Sequence, residues 1–120
     1  MKVLVADDDP DQLIMRSMLL AERGFDTVQA PDCEAAIQIA AAEKPACAVV
    51  DLRFPTEELG LRTVRALKTI DPQMHVLLLT GVISDRLARM PEAALVDSIL
   101  LKGNCWGELL ERLNALQDSQ

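Results

Sequence analysis

The chain has 120 residues, half of them hydrophobic and about a quarter charged, with a formal net charge of −7. That length suits one domain with a real core, and with one Trp, two Phe and no Tyr the core has to be aliphatic. The acidic balance, with Arg16, Arg62, Arg65, Arg86 and Arg89 scattered rather than clustered, argues against nucleic acid as a direct ligand.

In chain order, short apolar runs alternate with amphipathic stretches. Lys2–Ala6 is apolar after its lysine and reads as a buried strand; three consecutive aspartates, Asp7, Asp8 and Asp9, follow it directly. Asp9-Pro10 has the form of an N-cap and a first-turn proline, with Asp11 favoured by the helix dipole. A helix is therefore expected over about Pro10–Arg23, with Ile14, Met18 and Ala21 on one face, Leu13 and Leu20 beside it, and Gly24 as its stop. A second strand is expected at Asp26–Ala30, then a helix at Asp32–Ala42 with Ala36, Ile39 and Ala40 inward.

The third run, Ala46–Asp51, ends in an acid, and a helix at about Leu59–Ile70 carries Leu61, Val64 and Leu67 until Asp71-Pro72 stops it. Met74–Leu79 is the fourth run and leads into Thr80. The pattern over Ser84–Ala94 is interrupted by Pro91, so a short or kinked helix is expected there. Asp97–Leu101 is the fifth run and leads into Lys102; Cys105–Gln117 is the last helix, with Leu109, Leu113 and Leu116 in line, and Gln117–Gln120 reads as a frayed tail.

Brief, continuously apolar strands alternating with helices predict an α/β, doubly wound parallel sheet with right-handed crossovers and helices on both faces. One domain over residues 1–120 is expected. Cys33, Cys47 and Cys105 are an odd number without CxxC spacing, as in reduced thiols, and Cys47 is expected in the core. Acids from Asp7 onward do not suit a secretion signal and no apolar run approaches a membrane span, so a cytoplasmic domain without membrane contact is expected.

In open parallel sheets the functional crevice lies past the carboxyl ends of the strands. Asp7 and Asp8, Asp51, Thr80 and Lys102 all follow directly on apolar runs and so share that edge. Were the first and third strands neighbours, Asp7, Asp8 and Asp51 would converge, and three carboxylates together need a cation. Mg²⁺ is the natural choice, as a hard ion that takes few carboxylates and keeps waters for a phosphate. An ammonium and a hydroxyl alongside complete a site for a phosphoryl group, with one carboxylate as nucleophile.

The ordered set resembles the receiver domain of two-component response regulators over essentially the whole chain. The residues that carry it are Asp7-Asp8 in "VLVADDD", Asp51 in "ACAVVDLRFP", Pro55 four residues later, Thr80 in "HVLLLTG" and Lys102 in "SILLK". The resemblance implies a flavodoxin-like receiver fold, a five-stranded sheet of order 2-1-3-4-5 with five helices. It implies Asp51 as phosphoacceptor, Asp8 on Mg²⁺ directly and Asp7 largely through water. The backbone carbonyl of Arg53 would be a further metal ligand, and Thr80 and Lys102 would contact the phosphoryl group. A histidine kinase or phosphotransfer protein would supply phosphate and an output protein or domain would read the change. A homodimer would form through the face of the fourth helix, fifth strand and fifth helix. Activity beyond self-phosphorylation from a donor and autodephosphorylation is not expected.

The chain departs from that pattern at several places. Gly103 and Asn104 follow the lysine where the family usually has Pro, so a more mobile loop is expected. Ile99 stands where the family has an aromatic switch residue, Gly60 comes one residue late in "RFPTEELGL", and Gly81 replaces the commoner Ala. Arg53 is a long cation with Glu57, Glu58 or a phosphate as its expected partner. Two other readings stay open: an interaction module acting without phosphorylation, and a haloacid-dehalogenase-like phosphatase with Asp7 as nucleophile and Asp9 as acid–base.

Overall fold

Each rung of the central sheet pairs residues far apart in sequence: Val3 lies beside Thr27 on one side and Cys47 on the other, and Cys47 in turn beside His75. A computed structural model describes residues 1–103 and 105–118; Asn104, one of the two residues after the lysine, and the tail positions Ser119 and Gln120 lie outside the described residues. Strands β1 (Lys2–Ala6), β2 (Asp26–Ala30), β3 (Cys47–Asp51), β4 (His75–Thr80) and β5 (Ser98–Leu101) form one parallel sheet of order β2-β1-β3-β4-β5. Between and after them run α1 (Pro10–Glu22), α2 (Cys33–Glu43), α3 (Glu57–Ile70), α4 (Asp85–Arg89) and α5 (Trp106–Asp118). This is the predicted doubly wound architecture, with boundaries shifted by a residue or two. Asp118, expected in the frayed tail, continues α5 one residue past the expected end at Gln117.

The central strands are apolar throughout because both their faces are covered. Alternate residues feed two cores. Val3, Val5, Cys47, Val49, Leu77 and Leu79 pack with Leu20 of α1 and with Leu109 and Leu113 of α5. Leu4, Ala6, Ala48, Val50, Val76 and Leu78 pack with α2 and α3, through Ala36, Ala40, Leu61, Val64 and Leu67. The faces expected of α2, α3 and α5 are thus the faces that are buried. Cys47 is fully buried, and loss of solvation pushes its thiol up to about 12.

The α1 face is different. Ile14 and Met18 are 49 and 59 % exposed, and the buried line is Leu13, Arg16, Ser17 and Leu20. A hydropathy pattern cannot see that two polar residues occupy inward positions, so it turns the helix the wrong way. Asp9 caps α1 as expected, its Oδ1 accepting from the backbone N–H of Asp11 at 3.0 Å and of Gln12 at 3.4 Å.

The Ser84–Ala94 stretch breaks as its proline demands. Ser84 caps α4, which stops at Arg89, and Pro91–Ala94 forms a separate 3₁₀ turn. Glu92 of that turn is buried and accepts from Arg65 of α3, which fastens the turn to the sheet's flank.

Candidate functional site

The ladder runs one step past several strand ends, and those steps aim the polar residues. The amide of Asp7 donates to the Ala30 carbonyl at 3.2 Å, that of Leu52 to Leu79 at 2.8 Å, and that of Lys102 to Thr80 at 2.7 Å. Because β1 and β3 are neighbours, Asp7 and Asp8 arrive beside Asp51. A carboxylate oxygen from each of the three lies within 4.8 Å of the others. Asp7 and Asp51 are buried and Asp8 is exposed.

Asp51 forms the floor of an open cleft of about 560 Å³ whose wall includes Arg53, Thr80, Gly81, Ser84 and Lys102. Lys102 Nζ lies 2.8 Å from Asp51 Oδ1. Burial raises the Asp51 carboxyl above its ordinary range, and the Asp7 charge adds to the rise; Lys102 chiefly, and Arg16 more weakly, oppose it. Desolvation is the larger effect even with the ammonium in contact.

Thr80, at the end of β4, is also buried. Its hydroxyl donates to the Val82 carbonyl at 2.9 Å and accepts from the Val82 N–H at 3.3 Å, so it is tied to its own loop. Arg53 lies two residues past Asp51 on the cleft wall, and of its expected partners Glu57 is taken. Arg86 of α4 donates to both oxygens of Glu57, at 2.8 and 2.7 Å, and Arg53 has no ion pair among the described residues. Both bonds come from one nitrogen, Nη2, which bridges the two carboxylate oxygens, and both residues border the cleft.

Position 16 carries a residue that the sequence reading did not single out. Arg16 of α1 is buried and donates from Nη1 to Asp7 Oδ2 at 3.0 Å. The signal was present: Arg16 falls on the i, i+3, i+4, i+7 line of Leu13, Ser17 and Leu20. Glu57 and Arg86, 29 residues apart, left no such trace in the sequence.

Chemically, three converging carboxylates suit a hard divalent cation, and their oxygens are near enough to share one. An ammonium in contact with Asp51 and a hydroxyl on the same cleft wall suit a tetrahedral oxyanion. The model of the response regulator receiver domain matches residues 3–114. The chain belongs to that family.

Receiver domains are the signalling domains of bacterial two-component systems. Similar proteins include the transcriptional regulatory protein PrrA of Mycobacterium bovis, 32 % identical over 117 residues, which make up 96 % of this chain and 49 % of PrrA. The probable transcriptional regulatory protein TcrX of Mycobacterium tuberculosis is 34 % identical over 116 residues, covering 95 % of this chain and 48 % of TcrX. The receiver domain therefore spans about half the length of these relatives. A crystal structure of a Burkholderia pseudomallei response regulator with a phosphorylated aspartic acid and a calcium ion superposes with a TM-score of 0.81. It is 28 % identical over 91 % of this chain and 64 % of that one. Among the described residues no helix is long and apolar enough to cross a membrane.

Proposed function

We propose that this receiver domain accepts a phosphoryl group on Asp51 and signals through the resulting change of surface. The observation that carries the reading is Asp51 itself: a buried carboxylate on the floor of a cleft, in contact with Lys102 and flanked by Thr80. A carboxylate oxygen of Asp51 attacks phosphorus while the bond from phosphorus to the donor's leaving group breaks. That bond is P–N in a phosphohistidine and P–O in an acyl phosphate; the leaving group takes the electron pair and, for histidine, a proton. Lys102 then holds one phosphoryl oxygen by charge, and the Thr80 hydroxyl turns from Val82 to donate to another.

Asp8, Asp51 and the Arg53 carbonyl would hold Mg²⁺, with Asp7 acting mainly behind them. The ion, when bound, neutralises charge on the transferring phosphoryl group. The phosphorylated aspartic acid and calcium ion of the Burkholderia regulator support this assignment by similarity. The donor is a histidine kinase or phosphotransfer protein, met in the cytoplasm, and the output is an altered set of contacts with a protein partner or a second copy through α4, β5 and α5. Asp9 is taken up in capping α1, which leaves the phosphatase reading without its acid–base.

Incubation with acetyl phosphate and Mg²⁺ tests the proposal by mass spectrometry. One added phosphoryl group is expected, absent in Asp51→Asn. An unchanged adduct in that variant would remove Asp51 as acceptor, and no adduct in the native chain would favour a module acting without phosphorylation.

A further inference from the structure

Arg16 occupies an inward position on α1 where its neighbours on the line, Leu13 and Leu20, are apolar and buried. A guanidinium with its side chain 10 % exposed needs a charged partner, and Asp7, 1 % exposed, is that partner. The other oxygen of Asp7 is also engaged, Oδ1 accepting from the backbone N–H of Asp9 at 3.0 Å. Asp7 thus has each oxygen bonded to a protein donor, one of them a guanidinium whose positive charge any cation approaching that carboxylate would face. Around the pocket, two fixed cations, Arg16 on Asp7 and Lys102 on Asp51, already answer two of the three carboxylates. Asp8 alone is exposed and has no ion pair among the described residues.

We propose that Arg16 is a resident counter-cation of the acidic pocket: it keeps Asp7 satisfied without metal and, by occupying that carboxylate, holds down the pocket's affinity for a divalent cation. The inference rests on the reading of Asp8 and Asp51 as the Mg²⁺ site and adds a residue that competes with the ion. Competition is reciprocal, so an ion entering beside Asp8 loosens the Arg16–Asp7 pair to the same degree that the pair weakens the ion. Arg16 is a positioning residue here, acting on the site through Asp7.

Calorimetric titration with Mg²⁺ alone, on the full chain without phosphodonor, tests this. Arg16→Met keeps length and apolar volume while removing the charge, and is expected to bind Mg²⁺ roughly tenfold tighter than the native chain. The same variant should melt lower than native in EDTA, because it leaves the Asp7 charge buried alone, and should gain more from added Mg²⁺. Arg16→Lys, which keeps the charge, should stay within about threefold of native. If Arg16→Met does not fold in EDTA, Arg16→Gln, uncharged but still a donor, carries the same expectation. Affinity in a folded uncharged variant that is within roughly twofold of native, or weaker, overturns the proposal and leaves the metal site standing. Absence of Mg²⁺ binding in the native chain, with Asp8→Asn indistinguishable from it, overturns the site and this inference together.

Discussion

A Cβ placed on Gly60 would lie 1.9 Å from the carbonyl oxygen of Leu52 and 2.7 Å from its carbonyl carbon. The first turn of α3 therefore rests directly on the backbone that follows Asp51. Backbone cannot swing aside as a flexible side chain would, so Gly60→Ala has to push α3 away or distort the β3–α3 connection. We expect a loss of roughly 1–3 kcal/mol in urea unfolding, with slower acetyl phosphate labelling because the displaced backbone carries Asp51. Native stability and native labelling together in this variant would show that the contact yields.

Lys102→Met removes the cation that Asp51 faces at 2.8 Å. The carboxyl, already raised by burial, loses its largest opposing influence and rises further. The phosphoryl group also loses its fixed positive partner. Labelling by acetyl phosphate should slow on the order of a hundredfold. The global fold should survive, since the lysine side chain is 37 % exposed. A variant labelled at the native rate would take Lys102 out of the reaction.

Thr80→Val keeps the shape and deletes the hydroxyl that both donates to and accepts from Val82. In the unphosphorylated chain this unties the β4–α4 loop at a cost of about 1 kcal/mol. Amide exchange at Val82 should accelerate, while the strand amides of β4 stay protected. After phosphorylation the loop of the variant should respond less than the native loop, because the hydroxyl that would exchange partners is gone. Identical exchange at Val82 in both chains would contradict this.

Glu92 has a carboxyl held below its usual range, chiefly by the hydrogen bond from Arg65. A lowered folded pKa means that the unfolded chain takes up the proton first as the solution is acidified. The stabilisation is therefore fully present above the ordinary carboxylate pKa and fades as pH falls through the lower, folded value. Glu92→Gln should destabilise the protein at pH 7, with the gap closing under strongly acidic conditions. Half of the pair is exposed, the Arg65 side chain being 51 % accessible, so the neutral-pH loss should be modest. Urea unfolding at both pH values measures it; a gap that widened in acid would reverse the sign.

The site edge was legible because it depends on a simple rule, that polar residues directly after buried strands share one end of a parallel sheet. Asp51 after "CAVV" and Thr80 after "HVLLL" need only that rule, and β1 beside β3 brings Asp7 and Asp8 to Asp51. What escaped was tertiary. Ile14 and Met18 look like the inward face of α1, but the Arg16–Asp7 pair makes a polar inward face tolerable and turns the apolar residues outward. Glu57 was one of three expected partners for Arg53, its near neighbour in sequence, while the shape of the β4–α4 region delivers Arg86 to it from 29 residues away. Gly60 showed in sequence as a displaced glycine; only the packing of α3 on Leu52 explains why no larger residue fits.

The break at Met90 has a thermodynamic consequence. An α-helix of five residues closes few hydrogen bonds of its own: Ala88 to Ser84 and Met90 to Leu87 are backbone examples, with the Ser84 cap on Leu87. The fastenings visible for the stretch from Asp85 to Ala94 include the buried Leu87, Met90 against the same core, the Arg65–Glu92 pair and the Arg86–Glu57 pair. Moving it means releasing those fastenings, with almost no helix to unwind. This flank of the receiver can therefore refold as a strap pinned at a few points, where a longer helix would have to slide as a rod.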